Sequence, residues 1–413
     1  MPAASIVRYL VFFSLMGTLS VLAHVYLYRR IFRDTSGHPG WRKAGLVAMA
    51  AMCLLMLGSR LLSFVLPEGL VLALATVGWA WMGVAVYLLL AFWVLGGAQL
   101  AHVRLQRWRS RKSASPAPAT TPSPAPVEAP VHAPVSQERR QFLARATAGG
   151  ALLATTGIVG YGTWRAFHPP VINRISVRLP GLPKALDGFS IVQLSDIHVG
   201  PVIQRRFMDA IVAQCNALKP DLMAITGDLV DGSVAELGYA VSALSNLRSR
   251  HGSFFVTGNH EYYSGDEEWS EALERMGVSV LRNRSVRIGE PSASFDLVGV
   301  DDWAAGRSGY EKRYDLAQAV AGRDPERPSV LLAHQPANWR EASKAGIGLQ
   351  LSGHTHGGQF FPFNLAVSAI WEHDVGHFEE NGRHLYVSRG TGFWGPPVRV
   401  GAPPEIVHVT LLS

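Results

Sequence analysis

Long uncharged stretches fill the first part of the chain, whereas short apolar runs alternate with amphipathic segments in the rest. Residues 9–28 and 70–100 carry no Asp, Glu, Lys or Arg, and residues 44–66 carry only Arg60. A bilayer crossing needs about 20 apolar residues, and soluble helices rarely stay uncharged for so long. The pattern therefore predicts an all-α region of three transmembrane helices within residues 1–103.

The segment that follows has a different composition. After basic residues beyond 103, residues 113–136 read SASPAPATTPSPAPVEAPVHAPVS and contain seven prolines. A segment with so few bulky side chains cannot form a hydrophobic core. Residues 104–138 are therefore predicted to form a linker that is first basic and then rich in proline and alanine.

Residues 139–170 form another hydrophobic segment. Arg139 and Arg140 precede Gln141, Phe142 and an Ala/Gly/Thr-rich run, an order that resembles a twin-arginine export signal. A fourth membrane helix with basic flanking residues fits the same pattern. No small-x-small cleavage site follows, so we expect an uncleaved signal or anchor helix.

The distribution of basic residues predicts the topology, because basic loops stay in the cytoplasm. The loop between residues 66 and 70 has none, whereas the loops after the first and third spans are rich in them. The linker is thus predicted to be cytoplasmic, and residues 171–413 to lie on the periplasmic or extracytoplasmic side of the cell membrane. The twin-arginine export machinery is a candidate partner.

Residues 171–413 have the sequence pattern of an α/β domain. Apolar runs predict strands, and amphipathic runs predict helices at 205–218, 236–248 and 267–276. Their alternation indicates an αββα sandwich built on sheets. The predicted strands are 190–194, 222–226, 254–257, 295–300, 330–333, 349–351 and 385–388.

Charge and cysteine content exclude some functions. Residues 1–170 hold 16 Lys/Arg against 4 Asp/Glu, a net charge of +12, whereas residues 171–413 hold 22 against 27, a net charge of −5. The domain therefore has no basic footprint for nucleic acid. Its single cysteine, Cys215, excludes a cysteine-based zinc site.

Candidate metal ligands follow five of the predicted strands. This is the end of a strand where α/β folds place their ligand sites. Aspartate and asparagine oxygens with neutral imidazoles suit a pair of divalent cations, Mn, Fe or Zn, and the absence of thiolates argues against a structural zinc knot. The side chains concerned are Asp196, His198, Asp228, Asn259, His334, His354 and His356, and His260 follows Asn259 directly.

These motifs, D-x-H, G-D-x-x-D, G-N-H-E, H-x-P and G-H-T-H in this order, resemble the calcineurin-like metallophosphoesterases. The resemblance covers roughly residues 187–412. The ending, GHTHGGQ followed by VSRGTG and PPEIVHVTL, is most similar to the membrane-associated bacterial YkuE/YaeI-like subgroup.

The resemblance implies a binuclear phosphoesterase, acting as phosphodiesterase or phosphatase, in which a metal-activated water attacks phosphorus. It implies that Asp196, His198 and His356 bind the first metal, that Asn259, His334 and His354 bind the second, and that Asp228 bridges them. His260 would contact the substrate and assist the leaving oxygen. A membrane anchor favours a lipid-linked phosphoester as the substrate. The alternative is a membrane sensor or scaffold whose metal domain is regulatory.

Three further residues have two interpretations each. Asp231 and Glu261 either orient a ligand imidazole or cap a helix. Arg389 either clamps phosphate or is an ordinary surface arginine. Nearby aromatic residues either face an apolar substrate or membrane surface or pack in the core; they are Tyr262, Tyr263, Phe360, Phe361, Trp371 and Trp394.

Overall fold

The structure is a computed structural model that describes residues 3–58, 66–113, 137–303, 305 and 313–413. The chain forms two compact units, Met1–Gly160 and Tyr161–Ser413. Nearly all of the predicted Pro/Ala-rich linker, residues 114–136, lies outside the described residues, as do residues 59–65 at the end of the second predicted span.

The first unit is built of helices. They are α1 (Ala3–Tyr28), α2 (Pro39–Gly58), α3 (Glu68–Ser113) and α4 (Gln137–Phe167), with a π-helical turn at Arg29–Arg33. Within the described residues, three segments are long and apolar enough to cross a membrane: Pro39–Gly58, Gly69–Ser110 and Gln137–Phe167. The predicted span 9–28 lies on α1, part of whose side chains fall outside the described residues.

Two details of this unit bear on the sequence predictions. Helix α3 has 46 residues, about 69 Å at 1.5 Å per residue, so the basic segment after residue 103 continues the helix as far as Ser113. His24, in the first predicted span, is buried and accepts a hydrogen bond from Trp81 Nε1 at 2.9 Å.

The second unit contains twelve strands and seven further helices among its described residues. The helices are α5 (Arg205–Ala217), α6 (Val234–Val241), α7 (Asn259–Ser264), α8 (Asp266–Arg275), α9 (Leu316–Val320), α10 (Trp339–Lys344) and α11 (Phe363–Ile370). The strands are β1 (Val171–Arg178), β2 (Ser190–Leu194), β3 (Leu222–Thr226), β4 (Ser253–Val256), β5 (Val278–Val280), β6 (Arg284–Glu290), β7 (Ala293–Gly299), β8 (Ser329–Leu332), β9 (Leu349–Ser352), β10 (Gly376–Glu380), β11 (Arg383–Val387) and β12 (Glu405–Leu412).

These strands form two six-stranded sheets, in the orders β1-β12-β2-β3-β4-β5 and β10-β11-β9-β8-β7-β6. The central strands β2, β3 and β4 are parallel in the first sheet, and β7, β8, β9 and β11 are parallel in the second. Because the central strands of each sheet share a direction, their carboxyl ends meet at one edge of that sheet.

The two sheets pack face to face, and helices cover their outer faces. On β2, Ile191 points to the core between the sheets, whereas Val192 packs with helices α5, α6 and α8. Helices α9 and α10 cover the outer face of the second sheet. Burial on both faces explains why the central strands read as apolar runs rather than as alternating ones. The architecture is the predicted αββα sandwich.

All seven predicted strands and three predicted helices exist, with ends shifted by a few residues. The largest difference is the predicted helix 236–248, which is α-helical only as far as Val241 and then becomes a 3₁₀ turn, Ser242–Asn246. Five strands were not predicted: β1, β5, β6, β10 and β12. The edge strands β1 and β10 are largely exposed and carry charged side chains, so they lack the apolar run that marks the central strands.

The second unit includes the last turns of α4. Ala166 is fully buried in the core beside Phe393 and Ile406, and the Gly162 carbonyl accepts a hydrogen bond from Arg399 N at 2.9 Å. A Cβ on Gly162 would lie 2.6 Å from Val398 Cγ1, so this turn of the helix packs closely against the 390s loop. The compact unit thus begins before residue 171.

Candidate metal centre

The structure brings the predicted ligands together at the carboxyl ends of both sheets. The segment after β2 carries Asp196 and His198, and the segments after β3 and β4 carry Asp228 and Asn259. From the second sheet, the segments after β8 and β9 carry His334, His354 and His356. Three groups of side chains close enough to hold a metal ion result among the described residues. One contains Asp196, His198 and His356, one contains Asp228, His334 and His354, and a third contains His198, Asp231 and His260.

The backbone at these positions is unusual. Nine described non-glycine residues have a positive φ, and five of them are predicted metal ligands. A left-handed conformation costs a non-glycine residue of order 1–3 kcal/mol and persists where surrounding structure enforces it, often at functional sites. The five residues are Asp196, His198, Asp228, His354 and His356.

Asp196, His198 and His356 form the first group. Asp196 is fully buried; its carboxylate accepts the His354 N–H at 2.9 and 3.0 Å and lies 3.5 Å from His356 Nε2. His198 Nε2 and His356 Nε2 face each other at 3.1 Å. Two imidazole nitrogens and a carboxylate oxygen thus converge on one point.

Asp228, His334 and His354 form the second group. His334 Nε2 lies 3.1 Å from His354 Nδ1 and 3.2 Å from Asp228 Oδ2, while His334 Nδ1 donates to the Thr226 carbonyl at 2.8 Å. Burial and the neighbouring His334 lower the pKa of His354 to about 3. His354 is therefore neutral, which is the form of imidazole that binds a cation.

Asp228 connects the two groups. Its Oδ2 atom lies 3.2 Å from His334 Nε2 and 3.8 Å from His198 Nε2, so one carboxylate faces ligands of both clusters. Its Oδ1 accepts the His260 N–H at 2.9 Å. Asn259, the residue before His260, has a buried Oδ1 with no hydrogen-bond partner among the described residues.

His260 lies beside the two groups and is held by Asp231. Its Nδ1 donates to Asp231 Oδ1 at 2.6 Å, and the same oxygen is 3.1 Å from His198 Nδ1. Burial disfavours the charged ring, but the Asp228 and Asp231 carboxylates outweigh it and raise the pKa of His260 to about 9. Asp231 thus contacts two imidazoles, as the first of its two interpretations requires.

Glu261 holds two site segments together through their backbones. Its buried carboxylate accepts N–H groups of Gly258 at 2.6 Å, Asp228 at 2.9 Å and Leu229 at 2.8 Å. Burial and the neighbouring Asp228 raise the pKa of Glu261 to about 7. The Gly258 contact caps α7, which agrees with the second interpretation of Glu261, and the contacts to residues 228 and 229 were not predicted.

Two glycines are needed for space rather than for backbone conformation. A Cβ on Gly353 would lie 2.1 Å from Asp196 Oδ2, and one on Gly258 would lie 2.2 Å from Asp228 Oδ1. Gly258 has an ordinary φ of −99°. Only Gly227, of the three glycines that precede predicted ligands, has a positive φ.

Arg399 was missed by the sequence analysis. Its guanidinium is fully buried and donates to the carbonyls of His356 (3.1 Å), Gly392 (3.1 Å) and Arg389 (2.9 Å) and to His356 Nδ1 (3.0 Å). A guanidinium can only donate, so His356 Nδ1 is the acceptor of this contact. Burial lowers the pKa of Arg399 to about 9.

The remaining candidates divide by their surroundings. Arg389 lies 3.4 Å from the buried Glu405 carboxylate, with about a third of its side chain exposed. Tyr262 and Phe360 are buried in the core, whereas Tyr263, Phe361 and Trp394 are exposed. The rings of Trp394 and Tyr263 lie 5.7 and 5.5 Å from that of His260.

Comparison with known proteins points to one family. The model of the calcineurin-like phosphoesterases matches residues 189–358. A transmembrane protein with metallophosphoesterase domain from Danio rerio is 32% identical over 421 residues, which are 98% of this chain and 89% of that protein. Its Bos taurus counterpart is 40% identical over 272 residues, 63% of this chain and 61% of that protein. The metallophosphoesterase YkuE of Bacillus subtilis is 30% identical over 286 residues, covering 67% and 98%.

Proposed function

Since this chain belongs to the calcineurin-like metallophosphoesterases, we propose that it is a membrane-anchored phosphoesterase that works with two divalent cations. The observation that carries the proposal is the pair of ligand clusters with Asp228 facing both, in which five residues have a left-handed backbone. Backbone strain repeated at five ligand positions is expected where geometry serves a function rather than stability.

The residues present fit such a pair of cations. Asn259 Oδ1 is a buried acceptor with no hydrogen-bond partner among the described residues. A buried oxygen without a partner is expected at a position where a cation would bind. Each cluster also has two ring nitrogens 3.1 Å apart, and a proton between two such atoms is displaced when a metal binds. We assign Asp196, His198 and His356 to one cation, Asn259, His334 and His354 to the other, and Asp228 to both.

When bound, the two cations would supply Lewis acidity, which lowers the pKa of water and neutralises phosphoryl oxygens. Mn, Fe or Zn suits these oxygen and imidazole donors. The chain's own contribution beyond ligation is His260. Asp231 fixes its Nδ1, so the ring is oriented to donate a proton from its other nitrogen to the leaving oxygen.

Replacement of the shared carboxylate tests this proposal. Asp228→Ala should abolish hydrolysis of a chromogenic phosphodiester and lower the bound metal, measured by elemental analysis, because one side chain serves both cations. The matched control is Asp209→Ala, which removes an exposed carboxylate from α5. Full activity or unchanged metal content in Asp228→Ala, with Asp209→Ala intact, would overturn the assignment.

We further propose that the substrate is a phosphoester carried by a lipid, since the anchor confines the site to the neighbourhood of a bilayer. The full chain in vesicles should then hydrolyse lipid phosphoesters faster than the detached unit Tyr161–Ser413, while the two match on a soluble diester. Equal rates on lipid would reduce the anchor to a means of localisation.

The location is part of the same proposal. Three helices suited to a membrane and relatives named as transmembrane proteins support a membrane protein. The charge of the loops supports a domain on the extracytoplasmic side. Export by the twin-arginine machinery would agree with Arg139 and Arg140, which lie in the first turn of α4.

A further inference from the structure

Helix α11 is apolar on a surface where charge is expected. None of its eight residues is buried, and the stretch from Phe360 to Trp371 has no charged side chain. Leu365 is 59% exposed and Ile370 is 77% exposed. A surface helix normally turns its apolar residues inward and its charged residues outward, and exposed apolar patches mark interaction sites. We therefore expect helix α11 to bind a partner through this apolar surface.

The helix is attached at both ends to the turn that carries two metal-ligand candidates. At its beginning, the Asn364 backbone approaches Gly358 so closely that a Cβ there would lie 2.3 Å away. Just after its end, the Trp371 ring lies 5.1 Å from the His354 ring. Thr355, between the two histidines, donates from its hydroxyl to the Asp374 carbonyl. The apolar surface therefore borders the metal centre directly.

The segment before α11 is joined by backbone hydrogen bonds to the last turns of α4. Phe361 N–H donates to the Val400 carbonyl at 2.9 Å, and the neighbouring Arg399 N–H donates to the Gly162 carbonyl of α4. Phe167, the last residue of α4, contacts Phe393 with ring centroids 5.3 Å apart. A short run of backbone pairing thus joins the base of α11 to the last turns of α4.

The length of α4 leaves these turns outside the hydrocarbon layer. Its 31 residues span about 46 Å, and a hydrocarbon core is about 30 Å thick. Tyr161 and Trp164 are 56% and 51% exposed. Tyrosine and tryptophan concentrate where lipid headgroups meet water, so this end of α4 has the side chains of an interfacial segment.

We propose that α11, with Phe361 and Trp394, lies in the headgroup region of the bilayer that α4 crosses. The occupant of this surface is lipid, because the patch has no charge with which to pair a soluble partner and is joined through residues 399 and 400 to the end of α4, a helix suited to cross a membrane. The inference deepens the proposed function and rests on it: the docked helix sets the mouth of the metal centre at the lipid surface, where phosphoesters of membrane lipids are within reach.

The test uses the full chain in vesicles, with a fluorophore at single cysteines. Both native cysteines, Cys53 and Cys215, are buried, so introduced cysteines can be labelled selectively. We choose Leu365→Cys and Ile370→Cys on α11. The matched control is Glu326→Cys, exposed beside the amino end of β8 and hence at the opposite edge of the sheet from the metal centre. Quenching by spin-labelled lipid and by aqueous iodide is measured for each.

We expect lipid quenching at positions 365 and 370 to exceed that at position 326 by about threefold or more, as for groups inserted 5–10 Å into the headgroup boundary. The difference should be the same in phosphatidylcholine vesicles and in vesicles containing phosphatidylglycerol, because no charge is involved. Iodide quenching equal at all three positions would overturn the proposal. Shielding from iodide without lipid quenching would also overturn it, by assigning the surface to protein, such as a second copy of the chain.

This readout is independent of hydrolysis. Lipid quenching in a preparation that fails to cleave any phosphodiester would refute the proposed function and leave the membrane contact in place. Cleavage of a soluble diester without lipid quenching would refute the membrane contact of α11 and leave the proposed function in place.

Discussion

Replacement of Arg399 should destabilise the domain and loosen its metal centre. The buried guanidinium donates to carbonyls from three separate places, at His356, at Arg389 and Gly392, and at Ala402, and to the His356 ring. Arg399→Met keeps much of the buried volume but has no donor. The loop of residues 389–402 then loses the cation that its carbonyls surround.

The expected magnitude follows from the five hydrogen bonds. At about 1 kcal/mol each, the usual net value, their loss amounts to about 5 kcal/mol. Burial of an arginine without a carboxylate bonded to it is itself unfavourable, which is why the pKa of Arg399 falls to about 9. Relief of that cost offsets part of the loss, so we expect a net decrease of about 3 kcal/mol in the free energy of unfolding. In a domain of this size that corresponds to about 6–12 °C in Tm.

The buried Cys215 provides a reporter for this domain alone. Burial raises the pKa of its thiol to about 12, so it reacts with a thiol-specific fluorogenic dye only when the domain opens. In a Cys53→Ala background, dye fluorescence during heating reports Tm of the second unit within the full chain. Arg399→Lys is the matched variant, since it keeps a charge but has too few donors for five acceptors.

The result that would refute this reasoning is a Tm of Arg399→Met within about 2 °C of the parent, a difference below that of a single hydrogen bond. A lower Tm with unchanged metal content would show that Arg399 stabilises the fold. It would contradict the idea that Arg399 supports metal binding through His356.

Three further predictions concern the chemistry and the topology. His260→Ala should retain bound metal yet lose turnover by about 10²–10⁴-fold, the usual range for lost proton donation; loss of metal would move His260 among the ligands. Asp231→Asn removes a carboxylate that raises the pKa of His260, so His260 should lose its proton at lower pH and the alkaline limb of kcat should move down; an unmoved limb would contradict the role of His260 as the proton donor. A reporter active only outside the cytoplasm should be active after Ser413 and silent within residues 114–136; the reverse pattern would place the metal centre in the cytoplasm.

The central strands and the meeting of the candidate ligands could be predicted because both follow from local rules. Each ligand comes directly after an apolar strand, and strand direction then brings all of them to one edge. His354 and His356 are an example. They follow β9 by only a few residues, and this short distance is enough to predict that they lie at the carboxyl end of that strand. Long-range features could not be predicted in this way.

Arg399 shows why. It lies in a proline-rich stretch with no periodicity, and its burial depends on carbonyls up to 43 residues away. The sharing of Asp231 between His198 and His260 is another such feature, because two separate loops must meet before it exists. The exposure of helix α11 could not be predicted for a different reason, which is local rather than long-range. An apolar helix of eight residues reads as core, and only the structure reveals its exposure.

The burial of Ala166 makes the last turns of α4, from Tyr161 to Phe167, part of the second compact unit. A protease that cut after Phe167 would release a domain with an open cavity beside Phe393 and Ile406 and with the backbone N–H of Arg399 unpaired. Secretion of an active soluble form by such a cut is therefore disfavoured. Gly162 sets a similar limit on sequence change, because a Cβ there would meet Val398 and Val400 at 2.6 and 2.7 Å. Exchange of α4 for an unrelated transmembrane helix should succeed only if the exchanged segment stops short of Tyr161.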